Sequence, residues 1–176
     1  QELVFDNTGE SQVIAIGVPD PTRPLRVTLV WSDAPGAVGA NPALVNNLDL
    51  TVETNGNTYK GNVFSGGWST TGGTADIRNN VENVFVQSPG GDAVITISAT
   101  AIVGDGVYYS GDTTDQSFAL VCSNCAEQAD FTLNVSPSSL GACAPADGSF
   151  TVDVGQIPSF SDPVTLAAAG TPAGTT

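Results

Sequence analysis

Short runs in which apolar or β-branched residues alternate with polar ones at period two recur along this 176-residue chain, and no helical period persists over ten residues. QVIAIGV (12–18), LRVTLVWS (25–32), NLDLTVE (47–53), NVENVFVQ (80–87), DAVITISATAI (92–102) and QSFALVC (116–122) all read as strands, separated by Gly, Asn, Asp and Pro. Asn55-Gly56 is a hairpin-turn dipeptide, because both central residues of a tight hairpin turn need positive φ. These patterns predict an all-β fold, and so many short strands predict a β-sandwich or jelly roll.

The pattern breaks at NCAEQAD (124–130) and restarts with DFTLNVSPSS, GSFTVDVG and DPVTLAAAG. A boundary near residue 127 follows, giving a first domain over 1–126 and a partial one over 127–176. Three strands are too few for an independent core. The second part is therefore expected to be the first half of another sandwich, truncated, and to dimerise through its open edge.

Eighteen Asp/Glu against four Lys/Arg give a formal charge of −14. A basic footprint for nucleic acid or anionic membrane is missing, and no apolar run is long enough to span a bilayer. The acidity suits secretion into salty surroundings or binding of divalent cations. The sequence contains no Met and no signal peptide, as expected of a segment from within a larger gene product. It also contains no His, so neither a Ser-His-Asp triad nor a His-based metal site can be assembled from it. The chain is not expected to be an enzyme. Cys122, Cys125 and Cys143 are too few for a zinc ribbon; a structural disulfide among them is expected, its pairing open.

Three oxygen-rich segments flank the strands. Asp33 closes an apolar strand in WSDAP. Asn47 and Asp49 share one face of a strand in LVNNLDLTV. Asp76, Asn79, Asn80, Glu82 and Asn83 crowd into DIRNNVEN. Short-armed oxygen ligands of this kind are what calcium requires, although Asn and Asp also gather in turns for their own backbone bonds. The spacing of Asp105, Asp112 and Asp115 in a Gly-rich loop points to solvation instead. Trp31 lies in an apolar strand and is assigned to the core; Trp68, in SGGWSTTGG, is expected to expose its ring.

Taken together, LRVTLVWSDAP, LVNNLDLTV, NGNTYKGN, DIRNNVENVFV and QSFALV, in that order over 25–121, resemble the C-terminal jelly-roll domain of secreted bacterial subtilisin-like serine proteases. More remotely they resemble the P domain of proprotein convertases. The resemblance implies an eight-stranded sandwich without peptidase activity, packed on a preceding catalytic domain and binding structural calcium. The positions that match are Asp33, Asn47, Asp49, Asp76, Asn79, Asn80 and Glu82. Asn47 stands where such sequences often carry Asp, Ile77 where Gly is common, and SGGWSTTGGTA (65–75) is an insertion. Residues 129–176 resemble a bacterial Ig-like repeat. The expected function is that of a secreted accessory domain that stabilises its protease and engages protein substrate. The rival is an independent carbohydrate-binding or adhesion module, since jelly rolls serve both purposes.

Overall fold

The computed structural model describes residues 3–127, 131–137 and 149–156. The chain divides into two compact units, Gln1–Gln128 and Ala129–Thr176. The first contains β1 (Leu3–Phe5), β2 (Ser11–Gly17), β3 (Leu25–Trp31), β4 (Asn47–Thr54), β5 (Asn57–Ser65), β6 (Trp68–Thr71), β7 (Val81–Val86), β8 (Asp92–Ala101), β9 (Gln116–Ser123) and β10 (Ala126–Glu127). One sheet runs β1-β9-β3-β7 and the other β10-β2-β8-β4-β5-β6. Every pairing between these strands is antiparallel.

Setting aside the short edge strands β6 and β10 leaves two four-stranded sheets, 1-9-3-7 and 2-8-4-5, between which the chain passes back and forth. That is jelly-roll connectivity. The extra edge strand β6 comes from the segment 65–75, which folds back on β5 through Ser65↔Trp68. The β4–β5 hairpin turns at Asn55 and Gly56, with φ of 51° and 69°, as the dipeptide predicts.

The period-two alternation places the core. Leu25, Val27, Leu29 and Trp31 of β3 face Leu48, Leu50 and Val52 of β4 and Ile95, Ile97 and Ala99 of β8, all buried between the sheets. Phe5 and Phe118 stack with ring centroids 4.9 Å apart, joining the edge strand β1 to this layer. Burial of this many aliphatic side chains, at roughly 1.5–3 kcal/mol each, is the main force holding the sheets together. Trp31 is in the core as expected. Trp68 is half-buried rather than free, because the Arg26 guanidinium lies 5.9 Å over its ring and 5.5 Å over that of Phe85.

β7 is the outer strand of its sheet, but its free edge is not bare. Asn62 donates to Val81 O and accepts from Asn83 N, and Ser69 Oγ accepts from Phe85 N. Cys122 and Cys125 form a disulfide at the end of β9. Between them Asn124, at φ 66°, bonds through its side chain to the backbone of Asp20 and Arg23.

In the second unit β11 (Phe131–Ser136) and β12 (Thr151–Gln156) form an antiparallel hairpin. Cys143 and the third expected strand, in DPVTLAAAG, lie outside the described residues, as does the edge expected to mediate dimerisation.

Candidate functional site

The site forms where β5 parts from β4. These strands pair from Thr54↔Asn57 to Thr51↔Lys60 and no further. Gly61 and Asn62 follow; Asn62, at φ 59°, takes a left-handed conformation that Asn tolerates better than most residues. The chain turns away toward β7, and the Leu50 N–H loses the partner a continuing strand would supply. Glu82 replaces it: from the inner face of β7 its Oε2 accepts the Leu50 N–H at 2.6 Å. Glu82 sits opposite Leu29 in the register and is only 1% exposed. A Cβ at position 61 would come within 2.7 Å of the Glu82 carboxyl carbon, so only glycine leaves room for this carboxylate.

Gly61, packed against the Glu82 carboxyl, also lines an open cleft of about 690 Å³ together with Asn47, Asp49, Asn62, Asp76 and Thr100. A register shift between β4 and β8 at Asn47/Leu48 brings Thr100 beside Asp49, and Thr100 Oγ1 donates to Asp49 Oδ2 at 2.6 Å. Asp76 is held by Asn62 Nδ2 and Asn79 Nδ2, each at 2.6 Å, and by the backbone N–H groups of Arg78 and Asn79. Arg78 also lines the cleft, with Nη1 donating to Asn41 Oδ1.

The electrostatics follow from burial and charge. Burial pushes the Glu82 carboxyl up to about 8; the Leu50 N–H opposes the shift, and the negative charges of Asp49 and Asp76 add to it. For Asp76 burial alone would raise the value. The hydrogen bonds from Asn79, Asn62 and the Arg78 and Asn79 backbone together outweigh it, and the net shift is downward. Two buried oxygens of the site, Asn47 Oδ1 and Glu82 Oε1, have no hydrogen-bond partner. Buried acceptors in that condition are rare and costly.

Of the seven residues read from the sequence, Asn47, Asp49 and Asp76 line the cleft, Glu82 packs against the lining residue Gly61, and Asn79 braces Asp76. Asp33 and Asn80 are not among the lining residues. Asp33 spends both oxygens on the Val45 and Asn46 N–H groups, and Asn80 donates to Trp31 O. Asn62 escaped the sequence reading, although an Asn following Gly where a strand pattern fades is a usable signal for a left-handed position. Asn46 escaped it too. Fully buried, it accepts from Val103 N and Gly104 N, and it donates to Gly104 O, Asp115 O and Gln116 Oε1. No local signal separates Asn46 from Asn47.

The donor set is oxygen only: carboxylates, amides and a hydroxyl. Two buried oxygens without partners, and a Glu82 carboxyl whose ionisation the charges of Asp49 and Asp76 oppose, are features a hard divalent cation would relieve. Among the described residues, however, no three Cys, Asp or Glu side chains are gathered closely enough to form a metal-binding group as they stand. No protein-family profile matches the chain, and no curated protein matches its sequence.

Proposed function

We propose that this chain is the non-catalytic jelly-roll accessory domain of a secreted subtilisin-like serine protease, with calcium in the cleft between β4, β7 and the 72–80 loop. One observation carries the reading. Asn47, Asp49 and Asp76, from two motifs far apart in sequence, line a single cleft, Glu82 lies close enough to feel the charges of Asp49 and Asp76, and two buried oxygens, Asn47 Oδ1 and Glu82 Oε1, lack partners. Those four residues would hold the ion, and the ion would offset the charge that their proximity accumulates. Asn47 in place of a carboxylate makes the set one charge poorer and the expected affinity lower.

The role that follows is stabilising. An ion bound only by the folded state ties β4 to the loop before β7 and raises stability with its concentration. It would thereby support the attached catalytic domain and the surface that engages protein substrate. The test is thermal unfolding of metal-stripped protein in EGTA and in millimolar calcium. A rise in melting temperature is expected that Asp49→Ala abolishes and Asp33→Asn preserves. An unchanged melting temperature for the wild type would refute the calcium reading.

A second reading, a carbohydrate-binding module, is favoured by one feature. Tyr108 and Tyr109 are exposed on the β8–β9 loop, where Asp115 fixes the backbone by accepting from Val107 N and Ser110 Oγ. Specific signal on a glycan array, lost in Tyr109→Ala, would select it.

A further inference from the structure

β9 ends and β10 begins within one tight corner, where Cys122 and Cys125 are bonded at a sequence separation of 3. Both cysteines are half-buried and pack against the core, whereas Ser123 and Ala126 beside them are exposed. Asn124 docks the corner onto the β2–β3 turn. Its Oδ1 accepts from Asp20 N at 3.3 Å, and its Nδ2 donates to Asp20 O at 2.8 Å and to Arg23 O at 3.0 Å. It does so from the left-handed region, at φ 66°, a conformation that an L residue keeps only when its surroundings hold it there. Immediately beyond, Ala126 and Glu127 pair with Gly17 and Ile16, carrying the chain from the sheet of β9 to the edge of the other sheet.

A bridge that closes so short a loop removes little freedom from the unfolded chain, so global stability is not its main effect. Its restraint is local. Cys122 is fixed by the β9–β3 ladder, which runs on to Ser123↔Arg26, while Cys125 lies past the last pair of that ladder. The bond therefore ties a loose corner to a rigid strand, and Asn124 and β10 both lie on the loose side. β10 grips β2 through the pairs Ala126↔Gly17 and Glu127↔Ile16 alone, too short a ladder to persist unaided.

We infer that the Cys122–Cys125 disulfide is a redox-operated clasp on the end of the first unit. Oxidised, it holds Asn124 and β10 in place; reduced, it releases both, and with them the segment leading to the second unit, while the sandwich stays folded. The clasp is independent of any cation in the cleft. The reductant is a dithiol. One of its thiolates attacks a sulfur of the bridge, forming a mixed disulfide and expelling the other cysteine as a thiolate, which takes up a proton. The second thiol of the reductant then resolves the mixed disulfide, leaving two cysteine thiols and an oxidised dithiol. The Cys-x-x-Cys spacing keeps the two thiols close enough for a disulfide oxidant to restore the bridge.

The test is hydrogen–deuterium exchange of the whole 176-residue chain, oxidised and in millimolar dithiothreitol, with alkylation to count thiols. Cys143→Ser in every sample leaves the clasp cysteines as the only ones in the chain. Reduction should raise exchange about tenfold or more at the Asp20 N–H and across 124–127, with β3, β4 and β8 unchanged and the melting temperature nearly so. Cys125→Ser should show the reduced pattern without reductant, and reoxidation of the unreplaced pair should reverse it. Equal protection in the two states overturns the clasp, as does a bridge that survives dithiothreitol in the folded protein. Exchange that rises throughout β3, β4 and β8 overturns it as well, because the bond is then a support of the whole sandwich.

Discussion

Replacing Glu82 with Gln removes a charge from the core while keeping an acceptor for the Leu50 N–H. The folded protein holds the Glu82 proton up to about pH 8, whereas the unfolded chain releases it near 4.5. Between those values the folded state binds more protons than the unfolded state. Stability from this group is therefore fully present below pH 4.5, falls as pH rises, and is gone above pH 8. A rise from 4.5 to about 8 corresponds to at most about 4–5 kcal/mol, at ~1.36 kcal/mol per pH unit. Relaxation of the cleft brings the expected loss to about 2–4 kcal/mol. In Glu82→Gln that loss disappears, so the variant should be more stable than wild type at pH 9. At pH 5, where the wild-type carboxyl keeps its proton and both side chains are neutral, the two proteins should agree to within ~1 kcal/mol. Urea unfolding in metal-stripped buffer at pH 5, 7 and 9, followed by the fluorescence of buried Trp31, measures the difference directly. Asp76, whose value is lowered, loses its contribution only as pH falls below about 4 and leaves this window untouched. A difference between the two proteins that stays constant from pH 5 to pH 9 would refute the argument.

Two further outcomes follow from packing. Asn46→Ala strands the N–H groups of Val103 and Gly104 and the acceptors that Asn46 Nδ2 now serves, and should cost about 4 kcal/mol or more in urea unfolding. Gly61→Ala drives a methyl group into the Glu82 carboxyl and should cost about 2–3 kcal/mol. Much of that cost should vanish in the background of Glu82→Gly, which removes the Glu82 Cβ, 2.8 Å from the added methyl, together with the carboxyl, a non-additivity that a double-mutant cycle reads out.

Alternation made the long strands legible. β3, β4, β8 and β9 begin at or within a residue of where LRVTLVWS, NLDLTVE, DAVITISATAI and QSFALVC place them. Strands of two to four residues, β1, β6 and β10, cannot display a period and were invisible; each is an edge recruited by a neighbour rather than by its own pattern. The cleft was half legible. Residues two apart on β4 share a face by geometry, which is why Asn47 and Asp49 belong together. Asp33 and Asn80 have the same chemistry in similar loops, but their atoms are committed to backbone partners that only the tertiary fold supplies. The inward turn of Glu82 was legible only as parity. It alternates correctly with Val84 and Val86, yet nothing local says that β5 will depart and leave Leu50 needing an acceptor.

The manner in which β7 ends its sheet bears on the fate of the protein at high concentration. An open strand is a template on which a foreign chain can add by the same ladder, the first step toward fibrils. Asn62 and Ser69 deny that template, because they engage Val81, Asn83 and Phe85 with side-chain groups that offer no onward ladder. A carboxamide and a hydroxyl terminate propagation where another strand would continue it, leaving β7 an edge by topology but not by reactivity.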